Sequence, residues 1–131
     1  MVLDTSAILA LLFGEPESEA MALALSADRT RIVGAPTLVE AAAVMLARKG
    51  EAGEIALDAL LNRTGIVVAD MTSEAADSAR DAYARYGKGV GSPGDLNYGD
   101  CLAYGVAMTL GEPLLFKGNN FAQTDVLAVS Y

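Results

Sequence analysis

The sequence predicts an α/β fold, a mostly parallel sheet held between helices in three layers (α/β/α), carried by a single domain over residues 1–131. Three observations predict it. The chain has 131 residues, close to one domain at roughly 150 residues each. Hydrophobic residues make up 53% of it, enough to fill a core without disulfide or metal staples. Strand-like and helix-like segments alternate along the chain, which implies right-handed crossovers and parallel strands. In such sheets sites form outside the carboxyl ends of the strands.

The elements follow in order. Met1–Leu3 is a short apolar strand feeding a helix that begins near Asp4 or Thr5 and stops at Gly14, after which Pro16 opens a second helix through Ala27. Ile32–Val33 is the second strand. Thr37–Lys49 is helical, apolar at Leu38, Val39, Ala42, Met45 and Leu46, and closed by Arg48, Lys49 and Gly50, where the helix dipole favours cations and glycine supplies the cap. Ala52–Leu61 is a further helix, Ile66–Ala69 a β-rich buried strand, and Ser73–Tyr86 a polar-faced helix pairing Asp77 with Arg80 and Asp81 with Arg85. Four glycines and a proline between Gly87 and Gly94 predict a mobile loop. A last helix, Tyr98–Leu110, ends at Gly111, and Leu114–Phe116 and Val126–Val129 are closing strands.

Composition removes several chemistries. With one cysteine, Cys101, there is no intramolecular disulfide, and with no histidine there is no Cys/His zinc site and no histidine base. Serine triads, cysteine proteases and histidine-driven ribonucleases are therefore excluded. Nine basic against 17 acidic residues give a net charge of −8, so any nucleic-acid contact must be local rather than through bulk positive charge. The apolar run Ala7–Phe13 follows Asp4 and has no Lys or Arg before it, lacking both signal-peptide charge and membrane-spanning length. A soluble cytoplasmic protein without membrane association is expected.

Three acids stand out. Asp4 ends the first strand, Glu40 is the one charge between Leu38 and Ala47, and Asp100 lies in the first turn of the last helix. Each has an ordinary explanation: Asp4 as a helix N-cap, and Thr37-Leu38-Val39-Glu40 and Asn97-Tyr98-Gly99-Asp100 as capping boxes. If their helices start at one edge of a parallel sheet, however, three carboxylates converge and repel unless a cation sits among them. Oxygen ligands alone select a hard ion such as Mg²⁺, with Mn²⁺ substituting. Phosphate-ester cleavage is the natural chemistry, with Glu40 orienting or deprotonating the attacking water.

Val2-Leu3-Asp4-Thr5-Ser6-Ala7, the isolated Glu40 after Pro36-Thr37-Leu38-Val39, Tyr86-Gly87-Lys88-Gly89, Leu96-Asn97-Tyr98-Gly99-Asp100-Cys101 and Leu114-Leu115-Phe116-Lys117-Gly118 occur in this order. Together they resemble the PIN-domain ribonuclease toxins of the VapC type, from Met1 to about Val129. The resemblance implies a PIN-like α/β/α fold, Mg²⁺-dependent endonucleolytic cleavage of RNA such as tRNA, a homodimer, and neutralisation by a cognate VapB-like antitoxin. It also implies that Asp4 and Asp100 bind metal, that Glu40 shares metal binding and water activation, and that Ser6 supports the Asp4 carboxylate. This chain departs from the pattern twice. Its closing motif reads Gly118-Asn119-Asn120-Phe121, where similar toxins carry an acid before the phenylalanine. Asn120 offers a neutral oxygen instead, and Asp125 is the nearest acidic substitute. A histidine that relatives often hold near Gly91 or Ser92 is also missing.

The remaining features carry two readings each. Arg85, Lys88 and Lys117, with Arg80, could form a local basic rim for RNA phosphates, or an ion-paired solvated face. Tyr83, Tyr86, Tyr98 and Tyr104 fit core or interface positions better than base-stacking platforms. Cys101 fits a small buried hydrophobe. Met21–Ala27 and Ala52–Leu61 could form a groove for an antitoxin segment, against ordinary core packing. Two rival functions remain: a PIN module that only binds a partner, and a Mg²⁺-binding phosphoacceptor receiver using Asp4, Asp70 and Lys117. The receiver lacks a second acid after the first strand and leaves Glu40 and Asp100 without a role.

Overall fold

A computed structural model of the chain describes residues 1–90 and 95–131. Residues 91–94, the second half of the glycine-rich segment expected to be a loop, lie outside the described residues, as do the positions near Gly91 and Ser92. The elements are β1 (Val2–Leu3), α1 (Thr5–Phe13), α2 (Ser18–Ala27), β2 (Ile32–Gly34), α3 (Ala35–Lys49), α4 (Glu51–Thr64), β3 (Val67–Ala69), α5 (Ser73–Tyr86), α6 (Tyr98–Leu110) and β4 (Leu114–Leu115). The strands form one sheet in the order β3-β2-β1-β4, every pair parallel, with Val2 opposite both Ile32 and Leu114 and Ile32 opposite Val67.

Side chains on a strand alternate between the two faces of a sheet, and here each face meets its own helices. Leu3, Val33 and Leu115 point into a core shared with Ala7, Ile8, Met21, Leu25, Ala41, Leu57 and Leu60 of α1 to α4. Val2 and Leu114 point the other way, into a core with Ala79, Ala82, Cys101, Tyr104 and Val106 of α5 and α6, closed by Phe121 and Val126. These two cores on opposite faces give the expected three layers.

The chain builds outward from β1 to β2 and β3, then returns through α5 and α6 to place β4 on the other side of β1. The crevice at the carboxyl ends of β1 and β4 is thus the topological switch point, where open α/β sheets bind ligands. Asp4 sits there, its amide donating to the Leu115 carbonyl (2.9 Å).

Several boundaries differ from expectation for local reasons. α3 starts at Ala35, because β2 runs directly into it and Pro36 occupies the first turn, a position where its missing N–H is harmless. Thr37 therefore lies inside the helix and is not the cap of a capping box ending at Glu40. α4 runs to Thr64, where Gly65 takes the left-handed conformation (φ 65°) that closes it. β3 is not a buried strand: Ile66 is buried, but Val67 and Val68 are 60% and 50% exposed at the sheet edge. Val126–Val129 is reduced to a single parallel bridge between Ala128 and Leu114, since β4 itself has two residues and offers little ladder to pair with.

Candidate active site

Asp4 follows β1 directly and caps α1. Its Oδ2 accepts hydrogen bonds from the Ser6 amide (2.9 Å) and the Ser6 hydroxyl (2.5 Å). Ser6 Oγ in turn accepts from the Lys117 amide (2.9 Å), so one hydroxyl ties the residue after β1 to the chain leaving β4. Asp4 is 3% exposed. Burial pushes its carboxyl up to about 6; the two Ser6 bonds oppose that rise, and the nearby charges of Asp100 and Glu40 add to it.

Asp100 reaches the same place from the start of α6. Asn97 Oδ1 accepts from the Asp100 amide (2.8 Å) and Asp100 Oδ2 accepts from the Asn97 amide (2.9 Å), a complete capping box. The same Oδ2 accepts from Asn120 Nδ2 (3.1 Å). Asp100 is 7% exposed. Burial raises its carboxyl above the ordinary range; the Asn97 and Asn120 bonds pull against this, and Glu40 and Asp95 push with it. Among the described residues, the Oδ1 atoms of Asp4 and Asp100 accept no hydrogen bond from the protein.

Glu40 projects from the second turn of α3 and remains exposed. Its Oε2 accepts from Thr5 Oγ1 (2.5 Å), and its carboxylate lies over Gly99, where a Cβ would come within 2.6 Å of Oε1. Glu40 is thereby held between the first turns of α1 and α6. Two contributors carry no signal in isolation: Thr5, one more small polar residue in an Asp-Thr-Ser run, and Gly99, whose lack of a side chain makes room for a carboxylate from another helix.

Among the described residues, the other expected site residues form no hydrogen bond or ion pair with Asp4, Glu40 or Asp100. Asp125 accepts from the Tyr104 hydroxyl (2.6 Å) and from Arg85 (3.2 Å), and both bonds hold its carboxyl below the ordinary range, that from Tyr104 most strongly. Arg85 also pairs with Asp81 (2.8 Å), donates to the Tyr104 hydroxyl (2.9 Å) and lies over the Tyr86 ring (4.7 Å). Lys117 pairs with Glu15 (2.5 Å) and Glu17 (3.3 Å). Lys88 is exposed, its amide donating to Leu96 (2.9 Å) just before the Asn97 cap, and it forms no ion pair among the described residues. Arg80 pairs with Asp77 at the surface. Cys101 is buried, which pushes its thiol up to about 11 and keeps it unreactive at neutral pH.

Of the two helices expected to make a partner groove, Met21, Leu25, Leu57 and Leu60 are core. A shallow cavity of about 200 Å³ still lies between α1, α2 and α4, lined by Leu11, Ala22, Leu25, Leu60 and Arg63. A larger apolar cavity, about 590 Å³, lies between α5 and α6 beside Tyr83, Val90, Tyr98 and Leu102. No helix is long and apolar enough to cross a membrane among the described residues.

The family model described as the PIN domain matches residues 1–127. The chain is 45% identical over 130 residues to Ribonuclease VapC30 of Mycobacterium tuberculosis, covering 99% of this chain and 98% of that protein. It is 45% identical over 129 residues to Ribonuclease VapC of Mycolicibacterium smegmatis, covering 98% and 99%. Among solved structures, VapC20 of Mycobacterium tuberculosis, described as a sarcin-ricin loop cleaving toxin, superposes with a TM-score of 0.78 at 16% identity over 99% of this chain and 98% of that one. VapBC2 from Rickettsia felis, bound to a DNA fragment from its promoter, gives 0.75 at 16% identity over 98% and 96%. At that identity the two structures speak for the fold alone. With a PIN-domain match over nearly its whole length and relatives this similar end to end, the chain belongs to the VapC ribonuclease family of PIN domains.

Proposed function

We propose that this chain is a metal-dependent endoribonuclease, the toxin of a toxin–antitoxin pair, acting on a structured RNA such as tRNA in the cytoplasm. One observation carries the reading: two buried carboxylates, Asp4 and Asp100, stand at the switch point of the sheet, each with one oxygen bonded by the protein and, among the described residues, one without a bond, and Glu40 lies against the first turns of both their helices.

The donor set fits a hard divalent ion. Its groups are oxygens throughout, and burial of Asp4 among like charges is relieved by a cation. Among the described residues no group of three or more acidic, cysteine or histidine side chains is placed to hold an ion by itself, so waters and the RNA phosphate would have to complete the coordination, as Mg²⁺ and Mn²⁺ commonly allow. Asp4 and Asp100 would hold the ion, with Glu40 sharing it. Bound there, the ion would acidify water and offset charge on the phosphate.

The chain's own groups do the rest. Ser6 fixes the Asp4 carboxylate, the Asn97 and Asn120 amides fix that of Asp100, and Thr5 aims Glu40 so that it can orient water and accept its proton. Lys88 carries the phosphate-binding role expected of the basic rim, because Arg85 and Lys117 are already neutralised by acids. The groove between α1, α2 and α4 takes the VapB-like antitoxin segment, and the acidic site would attract an arginine carried elsewhere on that partner. The exposed apolar side chains around the α5–α6 cavity supply a surface for a homodimer.

The test is purified protein on total tRNA, with Mg²⁺ or Mn²⁺ against excess EDTA, and with Asp4→Asn alongside. Cleavage that needs metal and vanishes in the variant is expected. Cleavage surviving exhaustive chelation refutes the mechanism. A wild-type chain that cuts nothing with either metal yet binds its antitoxin is a partner-binding PIN module, the reading that the neutral Asn120 favours.

A further inference from the structure

We propose that Tyr104, Asp125 and Arg85 are positioning residues, a clamp away from the carboxylates that sets the register of the 117–126 turn on α6 and so holds Asn120 against Asp100. The clamp rests on the reading of Asp100 as a site residue.

The turn after β4 meets α6 through two polar contacts. The first is Asn120 Nδ2 to Asp100 Oδ2 (3.1 Å). The second, one helical turn along α6, is the Tyr104 hydroxyl to Asp125 Oδ1 (2.6 Å). Residues four apart share a helix face, so both contacts lie on the same side of α6. Between them the turn is stiff: Phe121 is buried against Phe116 (4.7 Å between ring centroids), and the Thr124 amide and hydroxyl both donate to the Phe121 carbonyl (3.0 and 2.8 Å). A displacement at Asp125 is therefore passed to Asn120.

Tyr104 is 1% exposed, and a buried hydroxyl needs partners. It has both kinds, donating to Asp125 and accepting from Arg85 (2.9 Å). Arg85 closes the triangle on Asp125 (3.2 Å) while Asp81 holds it from α5. Exposed ion pairs by themselves contribute little to stability. This pair is anchored by a core tyrosine, and its geometric product is the placement of the turn.

The test uses the whole chain and two readouts. Asn62, Asn97, Asn119, Asn120 and Gln123 are the chain's only side-chain amides, so the Asn120 NH₂ group can be followed by ¹⁵N NMR in the metal-free protein. Tyr104→Phe, which keeps the ring and the core, should shift that signal toward the position of a solvent-exposed asparagine, as should Asp125→Ala. Asp125→Asn, which can still accept from Tyr104, should leave it in place. In cleavage assays Tyr104→Phe should lower kcat about tenfold with KM unchanged, and less than about twofold once Asn120→Ala is present, because coupled residues are not additive. An unmoved Asn120 signal in Tyr104→Phe, or the same loss of kcat with and without Asn120, overturns the clamp. If the wild-type chain cuts no RNA, the proposed function fails while the NMR arm still decides the clamp.

Discussion

Replacing Asp4 by asparagine separates a site acid from a helix cap. Asparagine is isosteric, and its carbonyl can accept the two Ser6 bonds that Oδ2 now takes, so the cap is kept. What the change removes is the charge. A carboxyl moved from 3.8 to about 6 corresponds to about 3 kcal/mol at neutral pH, at about 1.4 kcal/mol for each tenfold change in proton affinity. The folded chain binds this proton more tightly than the unfolded chain, so what Asp4 contributes to the stability of the metal-free wild type is greatest below about pH 4 and is lost as pH rises through about 6. Asp4→Asn escapes that loss. In urea melts with EDTA the variant should exceed wild type by about 2–3 kcal/mol at pH 8 and match it near pH 4. Saturating Mn²⁺ should shrink or reverse the difference, since an ion that binds only the folded wild type stabilises it by mass action. A loss of about 1 kcal/mol at every pH, the usual effect of a spoiled cap, would refute the reasoning.

Other perturbations probe neighbouring contacts. Asn120→Asp exchanges a donated hydrogen bond to Asp100 for a second carboxylate at about the same 3.1 Å; chelated melts at pH 8 should show a loss of at least about 1 kcal/mol, and Mn²⁺ titration calorimetry about tenfold tighter binding. Glu40→Gln and Asp100→Asn should each lower turnover at least about a hundredfold, with a double variant far from additive, as checked in single-turnover cleavage assays. Gly99→Ala should barely alter the melting temperature, because its Cβ meets only the far end of the exposed Glu40 side chain, which can turn aside at the cost of its Thr5 bond, yet should cut kcat by displacing that carboxylate. Thr37→Val should raise stability by about 1 kcal/mol in urea melts, since the Thr37 hydroxyl is buried with no hydrogen-bond partner among the described residues.

The layered fold was legible because its signals are local and repeat: apolar runs of strand length, glycines at helix ends, and Asn97-x-x-Asp100 marking the start of α6. Edge effects were not legible. Val67 and Val68 have the composition of buried strand residues, and nothing in Ile-Val-Val-Ala says that β3 falls last in the sheet. Within the site, Asp4, Glu40 and Asp100 could be found as acids set against apolar surroundings. Their supports could not, since Thr5 and Gly99 act across helices separated by long stretches of chain. Charge was the hardest to assign. Arg85 and Lys117 are basic residues beside a candidate nuclease site, but the acids that neutralise them come from α5 and the closing turn in one case and from the α1–α2 connection in the other.

Capping and metal binding, which compete as explanations at the level of sequence, are compatible in this structure. A carboxylate has two oxygens, and a helix N-terminus engages one of them. At Asp4 the bonds from Ser6 fall on Oδ2, and at Asp100 those from Asn97 and Asn120 also fall on Oδ2. Each cap therefore fixes the side chain's rotation and leaves the other oxygen presented from a rigid helix start, as a site needs if its groups are to be held in place before a ligand arrives. The backbone N–H groups there also favour the ionised form, which partly offsets burial among like charges. The arrangement has a direct consequence for mutagenesis. Loss of Ser6 should harm the site more than the helix: in Ser6→Ala the Asp4 carboxylate keeps the amide bond and α1 keeps its cap, but Oδ2 loses the hydroxyl that also ties it to the Lys117 amide. Chelated stability should fall by about 1 kcal/mol or less, the scale of one hydrogen bond, while Mn²⁺ affinity falls by a larger factor, about tenfold, as for outer-shell partners of metal ligands. Equal losses in the two measurements would mean that Ser6 serves the helix alone.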